Sequence, residues 1–286
     1  MISDITLGQF FPGKSPIHRL DPRTKIILAT IFIVAVFLAS NPATFLLLAI
    51  TTVVLIGISR ISMKVILKSI KPLVFILLFT AILNILMTKG DSAPLLSFWV
   101  IEIYTEGVAR AVMMALRVII LIVGTSILLT YTTSPISLTD GLESLLSPLK
   151  LIRIPVHTFA MMMSIALRFI PTLVEETEKI MNAQKSRGAD FTSGSLVKRA
   201  KALIPLLVPL FVSSFKRAEE LATAMECRCY RGDKNRTKLV KLQYKGIDFV
   251  FTFIFALIFG GVICLNIIPY KFDSFGLIYD IIFYKV

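Results

Sequence analysis

Five long apolar runs constrain this chain more than any other feature of it. They cover residues 26–40, 43–59, 72–87, 107–131 and 247–268. Backbone amides in a bilayer core have no water to bind, so such runs must close their own hydrogen bonds as helices. A hydrocarbon core of ~30 Å takes roughly 20 helical residues. The first three runs are short for upright helices, which leaves their ends and tilt open. Hydrophobic residues make up 56% of the chain, above the apolar share of a soluble domain. The mean hydropathy is +0.81. The expected fold class is therefore all-α: a polytopic membrane protein with about five membrane helices. The first 25 residues are polar, hold Pro12, Pro16 and Pro22, and show no pattern of a cleavable signal peptide.

Lys and Arg placement sets the expected orientation, because short cytoplasmic connections are enriched in them. Four lie in residues 1–25, four in 59–71 (Arg60, Lys64, Lys68, Lys71) and 18 in 132–245. The alternate connections are poor in them: none in Asn41-Pro42, Lys89 in 88–106, Lys271 and Lys285 in 269–286. Thus 26 of 31 basic residues fall on one side. The expectation is a cytoplasmic N-terminal segment 1–25, membrane helices within 26–131, and a cytoplasmic and interfacial segment 132–245. Residues 246–286 then form the last membrane helix and an extracellular tail. This topology, with attraction to anionic headgroups, accounts for most of the net charge of +13. The basic residues flank membrane runs and no nucleic-acid-binding signature accompanies them, which argues against a nucleic-acid partner.

No catalytic, metal or cofactor set is expected. Cys227 and Cys229 form a C-x-C with no further Cys or His close by in sequence, and Cys264 lies in a membrane run. No Gly-rich phosphate loop of the Walker type is present, so the chain should not bind ATP itself. Glu175, Glu176 and Glu178 read as a solvated helix face that pairs with nearby basic residues. In His18-Arg19-Leu20-Asp21-Pro22, Pro22 suits a first helical turn and Asp21 its N-cap. His18 is left over, and a lone histidine here is more often structural than a ligand. Arg110 is close enough to a helix end to snorkel. Arg117 falls near the middle of its run, so either the helix is strongly tilted or Arg117 faces a polar interior.

The segment 132–245 is patterned differently. After Thr133-Ser134-Pro135, Leu138, Leu142, Leu145 and Leu149 make an amphipathic stripe. Ser137 with Asp140 resembles a helix N-terminus, and Pro148 and Pro155 break the helix at its far end. Residues 155–170 are apolar, carry Met161, Met162 and Met163, and are interrupted by Arg168. Residues 202–215 are similar, with Pro205 and Pro209 inside and Leu206 and Leu210 among the apolar positions. Both read as helices at or beneath the membrane, or against another protein; methionines make adaptable apolar surface.

These two stretches echo each other. One holds Ile170-Pro171, Glu175-Glu176 and Ser186-Arg187-Gly188; the other Ile204-Pro205, Glu219-Glu220 and Cys227-Arg228-Cys229. The gaps differ, so this is an echo and not a clean repeat. Each reads as one long helix ending at its arginine. Gly188 suits a C-terminal cap, and a cation there suits the helix dipole by ~0.3–1 kcal/mol. Arg228 has cysteines on both sides instead.

On these residues the chain resembles the EcfT family, the transmembrane coupling components of energy-coupling factor (ECF) transporters for vitamins and metals. The resemblance rests on 18–25, Thr133-Ser134-Pro135 with 138–148, Ala166-Leu167-Arg168-Phe169-Ile170-Pro171, 183–188 and 224–232. The family pattern at both arginines is small-Arg-small, commonly Ala-Arg-Gly, from which Cys227-Arg228-Cys229 departs while keeping small flanks. The resemblance implies two ABC-type ATPase subunits beneath the membrane. Each would receive one arginine motif in a groove: Ser186, Arg187 and Gly188 in one, Cys227, Arg228 and Cys229 in the other. It also implies an interchangeable substrate-binding membrane protein, the S-component, resting on apolar coupling-helix surface such as Met161, Met162, Met163, Leu206 and Leu210. A bacterial cell membrane is the implied location and no cofactor is implied; the choice between vitamin and metal ion as cargo stays open, with the methionine-rich surface leaning to a vitamin-type module. The rivals are a membrane-embedded lipid-modifying enzyme, which would need clustered Asp, Glu or His, and a stand-alone permease, which would show paired transport repeats.

Overall fold

The computed structural model describes residues 10–88, 96–98, 101–153, 155–189, 191, 195–232 and 242–267. The expected outer tail beyond 267, Lys89 and the basic stretch 233–241 lie outside the described residues. The described residues are all-α apart from one antiparallel ribbon of two three-residue strands, β1 (Leu96–Phe98) and β2 (Ile101–Ile103). It divides into two compact units.

The first unit holds α1 (Pro22–Leu38), α2 (Pro42–Ser59), α3 (Met63–Ile70), α4 (Val74–Met87), α5 (Thr105–Thr125) and, from the far end of the chain, α9 (Gly246–Ile267). Asp21 caps α1 as expected: its Oδ1 accepts from the Arg23 amide at 2.9 Å, and Pro22 opens the helix. Apolar on all sides, α1 sits at the centre. Leu28, Phe32 and Val36 pack with Leu48 and Leu55 of α2, Ile120 and Val123 of α5, and Phe255 and Val262 of α9 in one core. Close approach of α5 to α1 depends on Gly124, where a Cβ would lie 2.2 Å from the Phe32 ring. By contrast, α4 buries no residue, and Phe75, Leu78 and Phe79 are exposed, as suits a helix facing lipid.

α5 does not stop at Thr125. It widens into a π-helical turn, Ser126–Tyr131, a form rare enough to mark special positions. The carbonyls left at its end are taken up: Phe11 N donates to Tyr131 O at 3.0 Å, and Lys25 Nζ to Thr132 O at 2.7 Å.

The second unit contains α6 (Pro135–Leu145), a 3₁₀ turn (Ser147–Ile152), α7 (Val156–Ser186) and α8 (Leu196–Cys227). α6 opens at Pro135, so Ser137 is inside the helix and not its cap. The helical part of the leucine stripe ends at Leu145; Leu149 belongs to the 3₁₀ turn.

Among the described residues five stretches are long and apolar enough to cross a membrane: Pro42–Ser59, Met63–Met87, Thr105–Tyr131, Val156–Ser186 and Gly246–Ile267. Two differ from the sequence expectation. With 17 residues, α1 is only about 26 Å long and is largely enclosed by its neighbours. α7 has 31 residues, because neither Arg168 nor Pro171 ends it. Pro171 removes one amide donor but is exposed.

Candidate functional site

α7 and α8 end in the same way, and each ends on an arginine. Arg187 is the C-cap of α7 (φ −89°, ψ 8°) and Arg228 that of α8 (φ −88°, ψ 13°). After Arg187, Gly188 N donates to Lys185 O at 2.9 Å and Ala189 N to Gln184 O at 3.0 Å. After Arg228, Cys229 N donates to Glu226 O at 2.8 Å and Tyr230 N to Met225 O at 3.0 Å. This pair of bonds is the Schellman motif, which closes a helix when the residue after the cap turns left-handed. Gly188 does so at φ +86°. Cys229 does so at φ +55°, a conformation that costs an L-residue about 1–2 kcal/mol. The departure from small-Arg-Gly at the second site therefore leaves the helix ending intact.

Both motifs are open to solvent: Ser186, Arg187, Gly188, Cys227, Arg228 and Cys229 are all exposed. Among the described residues neither guanidinium makes an intramolecular hydrogen bond or ion pair. Of the six side chains, Ser186 alone makes a hydrogen bond among the described residues, from Oγ to Asn182 O at 3.1 Å.

One polar lock joins the two helices. Glu176 of α7 accepts from Arg217 Nη2 at 2.7 Å and from the Ser213 hydroxyl, both on α8. Glu176 is thus not part of a purely solvated face; its partner lies on the neighbouring helix. The lock is equidistant from both arginines: Arg187 lies 11 residues beyond Glu176, and Arg228 lies 11 beyond Arg217. At 1.5 Å per residue each arm is about 16 Å long, close to three turns. A second lock, His157 Nδ1 to Glu143 Oε1 at 2.8 Å, ties the start of α7 to α6.

The apolar candidates divide. Met162 and Met163 are exposed and Met161 is half-buried. Leu206 is 5% exposed and Leu210 half-buried. Leu206 thus packs inward within this chain. The outward row of α8 is Ile204, Leu207, Val208, Phe211, Val212 and Phe215. Steps of three, one, three, one and three keep these on one helix face, and they line a shallow apolar groove that ends at Lys216 and Glu219.

Four polar contacts of the helical bundle join residues far apart in sequence. Arg117 donates from Nη2 to Ala39 O at 2.6 Å and lies 5.2 Å from the Phe45 ring centre. Of the two options, it therefore faces a polar interior, the carbonyl end of α1, where a cation suits the helix dipole. Lys25 is 1% exposed, and its ammonium donates to Thr132 O and, at 3.1 Å, to Thr133 Oγ1. Asp248, 2% exposed, accepts from Asp21 N at 2.8 Å and Lys245 N at 2.6 Å. Asn266 donates to Leu38 O at the opposite end, so α1 and α9 lie side by side in parallel.

The fold defines the class: a multi-pass α-helical membrane protein carrying two long helices with matched arginine ends. Among the described residues no group of His, Cys, Asp and Glu could hold a metal ion. Residues 13–239 match the family described as Cobalt transport protein, CbiQ. The energy-coupling factor transporter transmembrane protein EcfT of Ruminiclostridium cellulolyticum is 52% identical over 88% of this chain and 93% of its own length. The proteins of the same name from Heliobacterium modesticaldum and Bacillus subtilis are 53% and 50% identical, over 88% and 87% of this chain and 94% and 93% of theirs. The chain belongs to the EcfT family, the transmembrane components of energy-coupling factor transporters.

Proposed function

We propose that this chain is the coupling subunit of an ECF-type ABC importer in a bacterial cell membrane, and that it has no catalytic role of its own. Arg187 and Arg228 each enter a groove of one of two ABC-type ATPase subunits, which hydrolyse the ATP. The outward row of α8, with Met162 and Met163 of α7, carries an interchangeable S-component. That component captures a vitamin or another micronutrient. The N-terminus and residues 132–245 face the cytoplasm, a placement that the distribution of basic residues supports.

The observation that carries this reading is the pairing of two free guanidiniums at equivalent cap positions on arms of equal length. A guanidinium is permanently charged and presents a planar fork suited to carboxylates and carbonyls. Its small neighbours let a helix end enter a groove without steric clash. The lock at Glu176 makes the two helices move together, so motion at the two ends reaches the apolar row. Uptake of labelled vitamin by vesicles holding the full complex tests the reading. Arg187→Ala and Arg228→Ala each lower uptake at least about tenfold, the cost of losing one buried interface arginine. Wild-type uptake in the double variant would overturn it.

A further inference from the structure

The N-terminal segment and the α2–α3 connection enclose a second pocket of about 290 Å³ that plays no part in the coupling device. Its polar rim carries Lys14, Arg60 and Ser62, and among the described residues no carboxylate lines it. Lys14 and Arg60 are exposed and, among the described residues, unpaired. Arg60 is set by the backbone: it closes α2 in the left-handed region at φ 55°. The wall opposite is equally built. His18 Nε2 lies 2.9 Å from Phe11 O and Nδ1 2.6 Å from Ser15 Oγ. The first contact requires an Nε2–H donor; in the neutral ring that burial favours, Nδ1 then accepts from the hydroxyl. Burial pushes its pKa below the ordinary value, the Phe11 carbonyl pulls it up, and the Lys25 charge pushes it down again. Gly13 fits only because it lacks a Cβ, which would stand 2.7 Å from that ring. His18 is therefore a strut within the segment that carries Lys14, and Lys14 and Arg60 line the same pocket.

We propose that this pocket binds a phosphate group, and that its source is the headgroup of an anionic phospholipid. Two unpaired cations on the rim of one pocket suit a phosphate. The surroundings favour a lipid. The pocket opens beside the start of α3, where Met63 and Leu67 are 59% and 62% exposed among Lys64, Lys68 and Lys71. Apolar side chains for acyl tails thus stand next to cations for headgroups, as at a membrane interface.

Native mass spectrometry of the full chain in detergent, with added phosphatidylglycerol, phosphatidylcholine or inorganic phosphate, tests this. Phosphatidylglycerol is expected to be retained over phosphatidylcholine. Arg60→Gln or Lys14→Gln weakens its retention about fivefold and the double variant about thirtyfold, at ~1 kcal/mol per cation. Lys179→Gln, an equal charge loss on α7, leaves retention unchanged. Equal retention of both lipids, or a Lys179→Gln loss matching that of Arg60→Gln, overturns the proposal. So does binding of inorganic phosphate without binding of phosphatidylglycerol. Both pocket side chains are exposed, so their replacement leaves folding intact, checked by unchanged helical circular dichroism.

Discussion

At the scale of single residues, the two arginines are equivalent in geometry and unequal in strain. Gly188 takes the left-handed turn freely, whereas Cys229 takes it against its side chain. Cys229→Gly should therefore raise the thermal stability of the α8 end by up to about 1 kcal/mol, and Gly188→Ala should lower that of α7 by a similar amount. Local hydrogen exchange at Tyr230 and Ala189, whose amides close the two motifs, reads both changes. An absence of change at Tyr230 would mean that the α8 end is not held by this motif. Arg117 illustrates the same scale inside the membrane bundle. Its charge rests against the carbonyl of Ala39 and the face of Phe45, so Arg117→Leu leaves a helix end without its donor.

At the scale of elements, the pairing of α7 with α8 depends on Glu176. The carboxylate joins Ser213 and Arg217 one turn apart on the facing helix. Because the pair is partly exposed, its worth as stability is small; its worth is positional. Glu176→Gln is expected to leave ATPase attachment near normal while reducing uptake per ATP hydrolysed several-fold, since the arms would no longer move as one. A parallel loss of attachment and uptake would assign Glu176 to folding instead. This lock also marks where sequence patterning stops being informative. Arg187 and Arg228 are visible in the sequence because charge at the end of an amphipathic run is a local signal. Glu176 and Arg217 lie 41 residues apart, and no local period connects them. The inward packing of Leu206 is hidden for a related reason: an apolar residue in a helix with apolar residues on several faces gives no sign of which face is packed.

At the scale of the whole molecule, the membrane runs, the basic side and the long helices are all legible in the sequence, since each depends on composition over many residues. The central position of α1 is not. Its 17 residues lie within the bundle because Lys25, Asp21 and Asp248 tie its start to α5 and α9. Lys25→Met would strand the Thr132 carbonyl and remove a charge facing two buried carboxylates. A loss of about 3 kcal/mol is expected, seen as a lower midpoint in thermal unfolding of the solubilised chain. An unchanged midpoint would show the tie to be dispensable.

The central claim is that two arginine ends serve two ATPase subunits, and subunit stoichiometry tests it most directly. The full complex is purified through a tag on this chain and its ATPase content counted by quantitative mass spectrometry. The account predicts two ATPase subunits per wild-type chain, a reduced count for Arg187→Ala or Arg228→Ala, and almost none for the double variant. Two ATPase subunits retained by the double variant would contradict it.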